Sequence, residues 1–116
     1  MAEHEEKKQE KVELAGQVVN LVDLLEYQRG SVVSRTLLQK EKGSVTMFAF
    51  DKGTSLSEHT SPLDAVVQVL EGEVEITVSG KASTVKVGEM LIMPADEPHS
   101  LKATEKFKML LTMIRL

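Results

Sequence analysis

Apolar positions along the chain recur first at helical spacing and then at strand spacing. Val18, Leu21, Val22 and Leu25 fall three and four residues apart, the interval that lines one face of a helix. Asn20 is placed to cap such a helix and Gly30 to stop it, so the pattern predicts one or two turns there. Beyond Gly30 the period shortens into strand-like runs: Val32–Leu38, Val45–Phe50, Ala65–Leu70, Val74–Val78, Ser83–Val87, Met90–Met93, Ser100–Ala103 and Phe107–Arg115. Val74-Glu-Ile-Thr-Val78 alternates strictly, as a half-buried antiparallel strand does. Phe107–Arg115 is apolar on both faces at its centre, which predicts a central strand or one covered by a partner. Glycines at 43, 53, 72, 80 and 88 separate the runs, and Ser79-Gly80 between two alternating segments reads as a tight turn. About eight closely spaced strands joined by turns predict an all-β barrel or sandwich.

The chain has 116 residues, enough for one domain with one core. Residues 1–16 read as a charged flexible tail, and residues 17–116 as a single barrel. Met1–Lys11 is nearly all charged or polar and lacks the positive start and apolar run of a secretory signal. His4 lies in this tail and is read as inert. Formal charge is −4, so the attraction to phosphate that nucleic-acid binders need is missing. Only Tyr27, Phe48, Phe50 and Phe107 are aromatic, too few for platforms on which single-stranded bases stack. No run is long and apolar enough to be a transmembrane candidate. The absence of cysteine removes disulfides, thiolate metal sites and cysteine nucleophiles together. With no signal, it predicts a cytoplasmic address.

Two segments depart from the plain β pattern. One runs Gly53-Thr-Ser-Leu-Ser-Glu-His59-Thr-Ser61-Pro-Leu-Asp64-Ala65 and continues to Gly72; the other runs Gly88-Glu-Met-Leu-Ile-Met-Pro94-Ala-Asp96-Glu-Pro-His99-Ser-Leu-Lys-Ala103. Together they resemble the two motifs of the cupin superfamily. The first is glycine, five residues, His-x-His, three or four residues, glutamate, six residues, glycine. The second is glycine, five residues, Pro-x-Gly, two residues, histidine, three residues, asparagine. The resemblance implies a double-stranded β-helix, the jelly-roll barrel of that family, preceded by the short helix and the tail.

In metal-dependent cupins three histidines and a glutamate hold a divalent iron, manganese, nickel, copper or zinc ion. Carried over by position, His59 and His99 are kept. Ser61 stands for the second histidine, Ala65 for the glutamate, Asp96 for the second motif's glycine and Ala103 for its asparagine. Residues two apart on a strand share a face, so His59 and position 61 are expected to look into the barrel, with His99 opposite. Two imidazoles fall short of the three protein ligands a catalytic metal site generally needs. Asp64 is the nearest extra donor, but it is out of phase with the family's glutamate unless a bulge re-aims it, and alternation turns Glu58 away. Small residues at 61 and 65 leave space beside the imidazoles, and space suggests a ligand.

The remaining residues receive plainer readings. Met90, Met93, Met109 and Met113 read as lining, and Pro94 and Pro98 as brackets of a turn that positions His99. Glu71-Gly72-Glu73 and Asp96-Glu97 read as solvated turns. Arg115 shares a face with Phe107, Met109, Leu111 and Met113 and reaches either a pocket mouth or water. No Gly-x-Gly-x-x-Gly or phosphate loop, Gly-x-Ser-x-Gly elbow or His-Glu-x-x-His spacing occurs, which removes nucleotide, serine-hydrolase and zincin chemistry.

Three functions remain open, and no motif names a reaction. The first is a binding module that takes a small molecule at His59, Ser61, Ala65 and His99 without a tightly held metal. The second is a metal-dependent enzyme of dioxygenase, isomerase or decarboxylase type, with His59 and His99 as ligands and Asp64 or water completing the shell. The third is a non-catalytic protein acting through a dimer surface. The resemblance implies a homodimer, and the apolar Val32–Leu38 is one edge through which copies would pair.

Overall fold

The computed structural model describes residues 12–116. Most of the expected tail, with His4, therefore lies outside the described residues. Nine strands follow one another: β1 (Val32–Lys40), β2 (Gly43–Phe50), β3 (Ser55–His59), β4 (Asp64–Glu71), β5 (Glu73–Val78), β6 (Lys81–Lys86), β7 (Met90–Met93), β8 (His99–Lys102) and β9 (Phe107–Ile114). Eight correspond to the alternating runs read from the sequence. The ninth, β3, has a single apolar residue in Ser-Leu-Ser-Glu-His and carries no alternation to detect.

The strands form two antiparallel sheets, ordered β1-β2-β9-β4-β7 and β3-β8-β5-β6. Their facing sides enclose one core, in which Phe50, Val67, Val69, Val74, Ile76, Phe107 and Met109 are fully or almost fully buried. The rings of Phe50 and Phe107, paired across β2 and β9, stack with centroids 4.5 Å apart. This is the jelly-roll arrangement. β1 is an edge strand and β9 a central one. No described helix is long and apolar enough to cross a membrane.

β9 is apolar on both faces because both are covered. Phe107 and Met109 point between the sheets, while Lys108 points outward and is still only 8% exposed. Its Nζ donates to the Val22 carbonyl at 2.5 Å. Met47 and Ala49 alternate with the core residues Phe48 and Phe50 yet are fully buried on the outer side, where the segment before β1 crosses. That segment holds only one 3-10 turn, Leu21–Asp23. Of the one or two turns expected, one forms, as 3-10 helix, and it does not extend to either side: Val18 is fully exposed and the Asn20 side chain makes no capping bond. A stretch this short does not repay helix nucleation, and its backbone is held by the sheet instead.

The anchor is polar. Tyr27 Oη donates to Glu71 Oε1 at 2.6 Å, Lys108 Nζ lies 3.9 Å from the same oxygen, and the Lys106 and Lys108 ammonium groups each sit 4.9 Å from the Tyr27 ring centre. Glu71, expected as a solvated turn residue, is thus partnered by a residue 44 positions away. Farther along, Glu13 in the expected tail pairs with Arg35 of β1 at 3.0 Å.

Burial, then the bond to Glu71 and its charge, push the Tyr27 phenol well above its ordinary value. In the unfolded chain the phenol ionises near pH ~10. The folded state keeps the neutral form to higher pH, so its contribution is complete below that value and is lost as pH rises beyond it. Chemical denaturation at rising alkaline pH is expected to show stability falling from about pH 10, and Tyr27→Phe is expected to flatten that slope. An unchanged slope would remove Tyr27 as its source.

Candidate functional site

His59 and His99 lie side by side because a bulge brings them there. On β8, Leu101 and His99 are two residues apart and share the inward face. On β3, Leu56 and His59 are three residues apart, yet they pair with Leu101 and His99 respectively. The extra residue restores His59 to the face of Leu56, which packs against the core. The two rings meet edge-on at 71°, with centroids 4.4 Å apart. His99 is buried at 5% exposure, and His59 opens to solvent.

Each ring is oriented by the carbonyl two residues before it. His59 Nδ1 lies 2.8 Å from the Ser57 oxygen, and His99 Nδ1 lies 3.1 Å from the Glu97 oxygen. A carbonyl only accepts, so both Nδ1 atoms carry hydrogen, and in the neutral rings both Nε2 atoms keep a lone pair for a ligand. The turn expected between Pro94 and Pro98 supports His99: Ser79 N donates to the Pro98 carbonyl at 2.8 Å and Asp96 N to the Ser61 carbonyl at 2.7 Å. Asp96, at the family's glycine position, has φ of +66°, a left-handed conformation that aspartate tolerates better than most residues. Glu97 is not simply solvated, since it accepts a hydrogen bond from Ser79 Oγ.

The other expected site residues fall differently. β3 ends at His59, so Ser61 lies beyond the strand, and its hydroxyl accepts from Leu63 N at 3.2 Å. Strand alternation therefore does not govern position 61. Ala65 is 2% exposed on the core side of β4, in register between Met93 and Met113.

Asp64, expected as the extra donor, is held at the start of β4 by a backbone contact. No bulge interrupts β4 at this end, so Asp64 faces away from Ala65, and its Oδ1 accepts from Ala95 N at 2.8 Å. Met93 and Met109 are buried lining as expected, whereas Met90 is 55% exposed on the outer face. Arg115 is exposed beyond the end of β9.

Among the described residues, no three histidine, aspartate or glutamate side chains come together as a metal-binding group. The donor set is two imidazoles, with a hydroxyl engaged in a turn and a methyl group at the family's other two positions. That set does not fit a resident transition ion, which needs about three protein ligands.

An open groove of about 430 Å³ lies between the edge strands β6 and β7, at the opposite edge of the four-stranded sheet from His59. Val78, the register partner of His99, is one wall; Leu91 and Ile92 form another, and Ser79, Lys81, Ser83 and Glu97 supply the polar atoms. Lys81 and Ser83 escape a motif-based reading. Their signal is alternation alone, since both are in phase with the buried Val85.

Known proteins place this geometry in a family. A family model described as "Cupin domain" matches residues 46–115. No curated protein matches the chain. Among solved structures, a conserved protein of unknown function from Streptococcus pyogenes is 37% identical, with TM-score 0.83 over 87% of this chain and 89% of its own. A cupin 2 conserved barrel domain protein from Leptotrichia buccalis is 45% identical, with TM-score 0.82; it is matched over 84% of this chain but only 47% of its own length. A cupin superfamily protein from Desulfitobacterium hafniense is 27% identical, with TM-score 0.82 over 87% of this chain and 93% of its own. With its two sheets, its histidine pair and these matches, the chain belongs to the cupin superfamily.

Proposed function

We propose that this cupin is a small-molecule binding module, with the ligand seated at the barrel mouth against His59 and His99 and no tightly held metal. The observation that carries the reading is the contact of the two rings at 4.4 Å, with both Nδ1 atoms committed to carbonyls. Two oriented Nε2 atoms are a recognition element. They accept from a ligand hydroxyl when neutral and donate to a ligand oxygen when protonated. The same pair is able to move a proton within a bound molecule, but nothing in its surroundings selects a reaction.

The test combines elemental analysis with ligand screening by thermal shift, using wild type, His59→Ala and His99→Ala. Protein purified without chelator is expected to carry far less than one metal per chain. A small-molecule hit on the wild type is expected to bind each variant about tenfold more weakly, the loss of one good hydrogen bond. Stoichiometric metal that disappears in both variants would overturn this reading in favour of a metal-dependent enzyme.

A further inference from the structure

The groove between β6 and β7 carries a positive charge, Lys81, on its wall. β6 pairs with β5 so that Lys81, Ser83 and Val85 stand opposite Val78, Ile76 and Val74. Val85, Val74 and Ile76 are buried in the core, so Lys81 and Ser83 occupy the core-facing phase of their strand. An inward-phase charge is one way an edge strand is kept from pairing with another chain, and Lys81 at the start of β6 is exposed. Here the lysine lines a cavity with Ser83, and Val78 and Leu91 form the apolar wall.

The groove's other charged group is Glu97, whose carboxylate is held by Ser79 Oγ. Among the described residues Lys81 forms no salt bridge with a carboxylate. One free ammonium, one hydroxyl and an apolar wall complement a single negative charge on a short apolar body. Glu97 repels a second one, which disfavours phosphates and dicarboxylates.

We propose that the ligand of this site is a small monocarboxylate. Lys81 Nζ and Ser83 Oγ receive the carboxylate, Val78 and Leu91 pack against the carbon chain, and the far end of the molecule reaches His99. Continuity supports this placement: Val78 is paired with His99 across β5 and β8, and Glu97 binds the His99 ring through its carbonyl. The inference rests on the histidine pair being a ligand site, and it adds the class of ligand.

The experiment is an amide-resolved NMR titration of the whole chain with hexanoate and benzoate beside the uncharged hexanamide and benzamide. The acids are expected to shift signals of Lys81, Ser83 and His99 and to bind about tenfold more tightly than the amides, the margin of one charge-assisted contact. Lys81→Met is expected to lower acid affinity about tenfold and leave amide affinity unchanged. Ser83→Ala, a milder change, is expected to move acid binding in the same direction. Equal affinity for acids and amides, an unchanged Lys81→Met, or no acid binding tighter than about 10 mM would each overturn the proposal. His59→Ala separates the two readings: if it abolishes binding while Lys81→Met does not, the histidine site stands and the monocarboxylate class falls.

Discussion

Gly72→Ala is expected to lower the melting temperature by about 15 °C or more, from a loss of roughly 3–5 kcal/mol. Gly72 is the corner at which the chain leaves one sheet, at the end of β4, and enters the other at the start of β5. Its φ of +74° is one that residues with a side chain rarely adopt, and an added Cβ would stand 2.1 Å from the Lys106 carbonyl and 2.9 Å from Phe107 Cβ. The left-handed backbone alone costs about 1–2 kcal/mol. The collision costs more, because the nearest atom is backbone just before the central strand β9 and no rotamer change relieves it. Gly88→Ala is the control, since its φ is +85° but nothing lies within 4 Å of its added Cβ. It is expected to lose only the conformational part, about 1–2 kcal/mol. Equal melting temperatures for the two variants in calorimetry would show that the close approach at Gly72 has no energetic weight.

The second large effect is a gain. Ser61→His with Ala65→Glu installs the two ligand types that the family's metal centre has and this chain lacks. The metal-free double variant is expected to melt below wild type. A glutamate replaces a methyl group that is 2% exposed, and a buried charge without a partner is costly. Histidine at 61 also forfeits the hydroxyl bond to Leu63 N. Added nickel or zinc is expected to reverse this. At about a hundred times the dissociation constant, binding contributes about 2.7 kcal/mol, or a rise of about 10–20 °C for a domain of this size. Wild type, with two imidazoles, is expected to shift by no more than about 2 °C. A double variant indifferent to metal would mean that positions 61 and 65 do not converge on the histidine pair, and a large wild-type shift would mean that two imidazoles suffice.

The strands were legible wherever burial is one-sided. Val74, Ile76 and Val78 alternate with polar residues because one face of β5 meets the core and the other does not. β3 was illegible because four of its five residues are polar and pairing with β8, rather than packing, makes it a strand. The amphipathic spacing at Val18–Leu25 gave one helical turn, Leu21–Asp23, and no more: Leu21, Val22 and Leu25 are half-buried, while Val18 is fully exposed. Histidines 40 positions apart were matched by motif. The bulge that aligns them leaves no trace in residue type, and neither does the tie between each Nδ1 and a carbonyl. Glu71 and Glu97 looked solvated because their partners, Tyr27 and Ser79, are 44 and 18 residues away. Lys81 was visible all along as a charge in phase with Val85, but a two-motif pattern does not extend to β6.

The gap between β6 and β7 also bears on how a molecule enters. These strands are the outermost members of different sheets, so no ladder of backbone hydrogen bonds joins them. Drawing them apart breaks side-chain packing only, whereas opening any other neighbouring pair within a sheet severs several peptide bonds' worth of pairing at once. The same holds at the opposite flank, where β1 and β3 end the two sheets, so the barrel has two seams free of backbone ladders, and the groove with Lys81 lies on one of them. A molecule that approaches the groove meets this flank directly, on the other side of the barrel from the strand that carries His59.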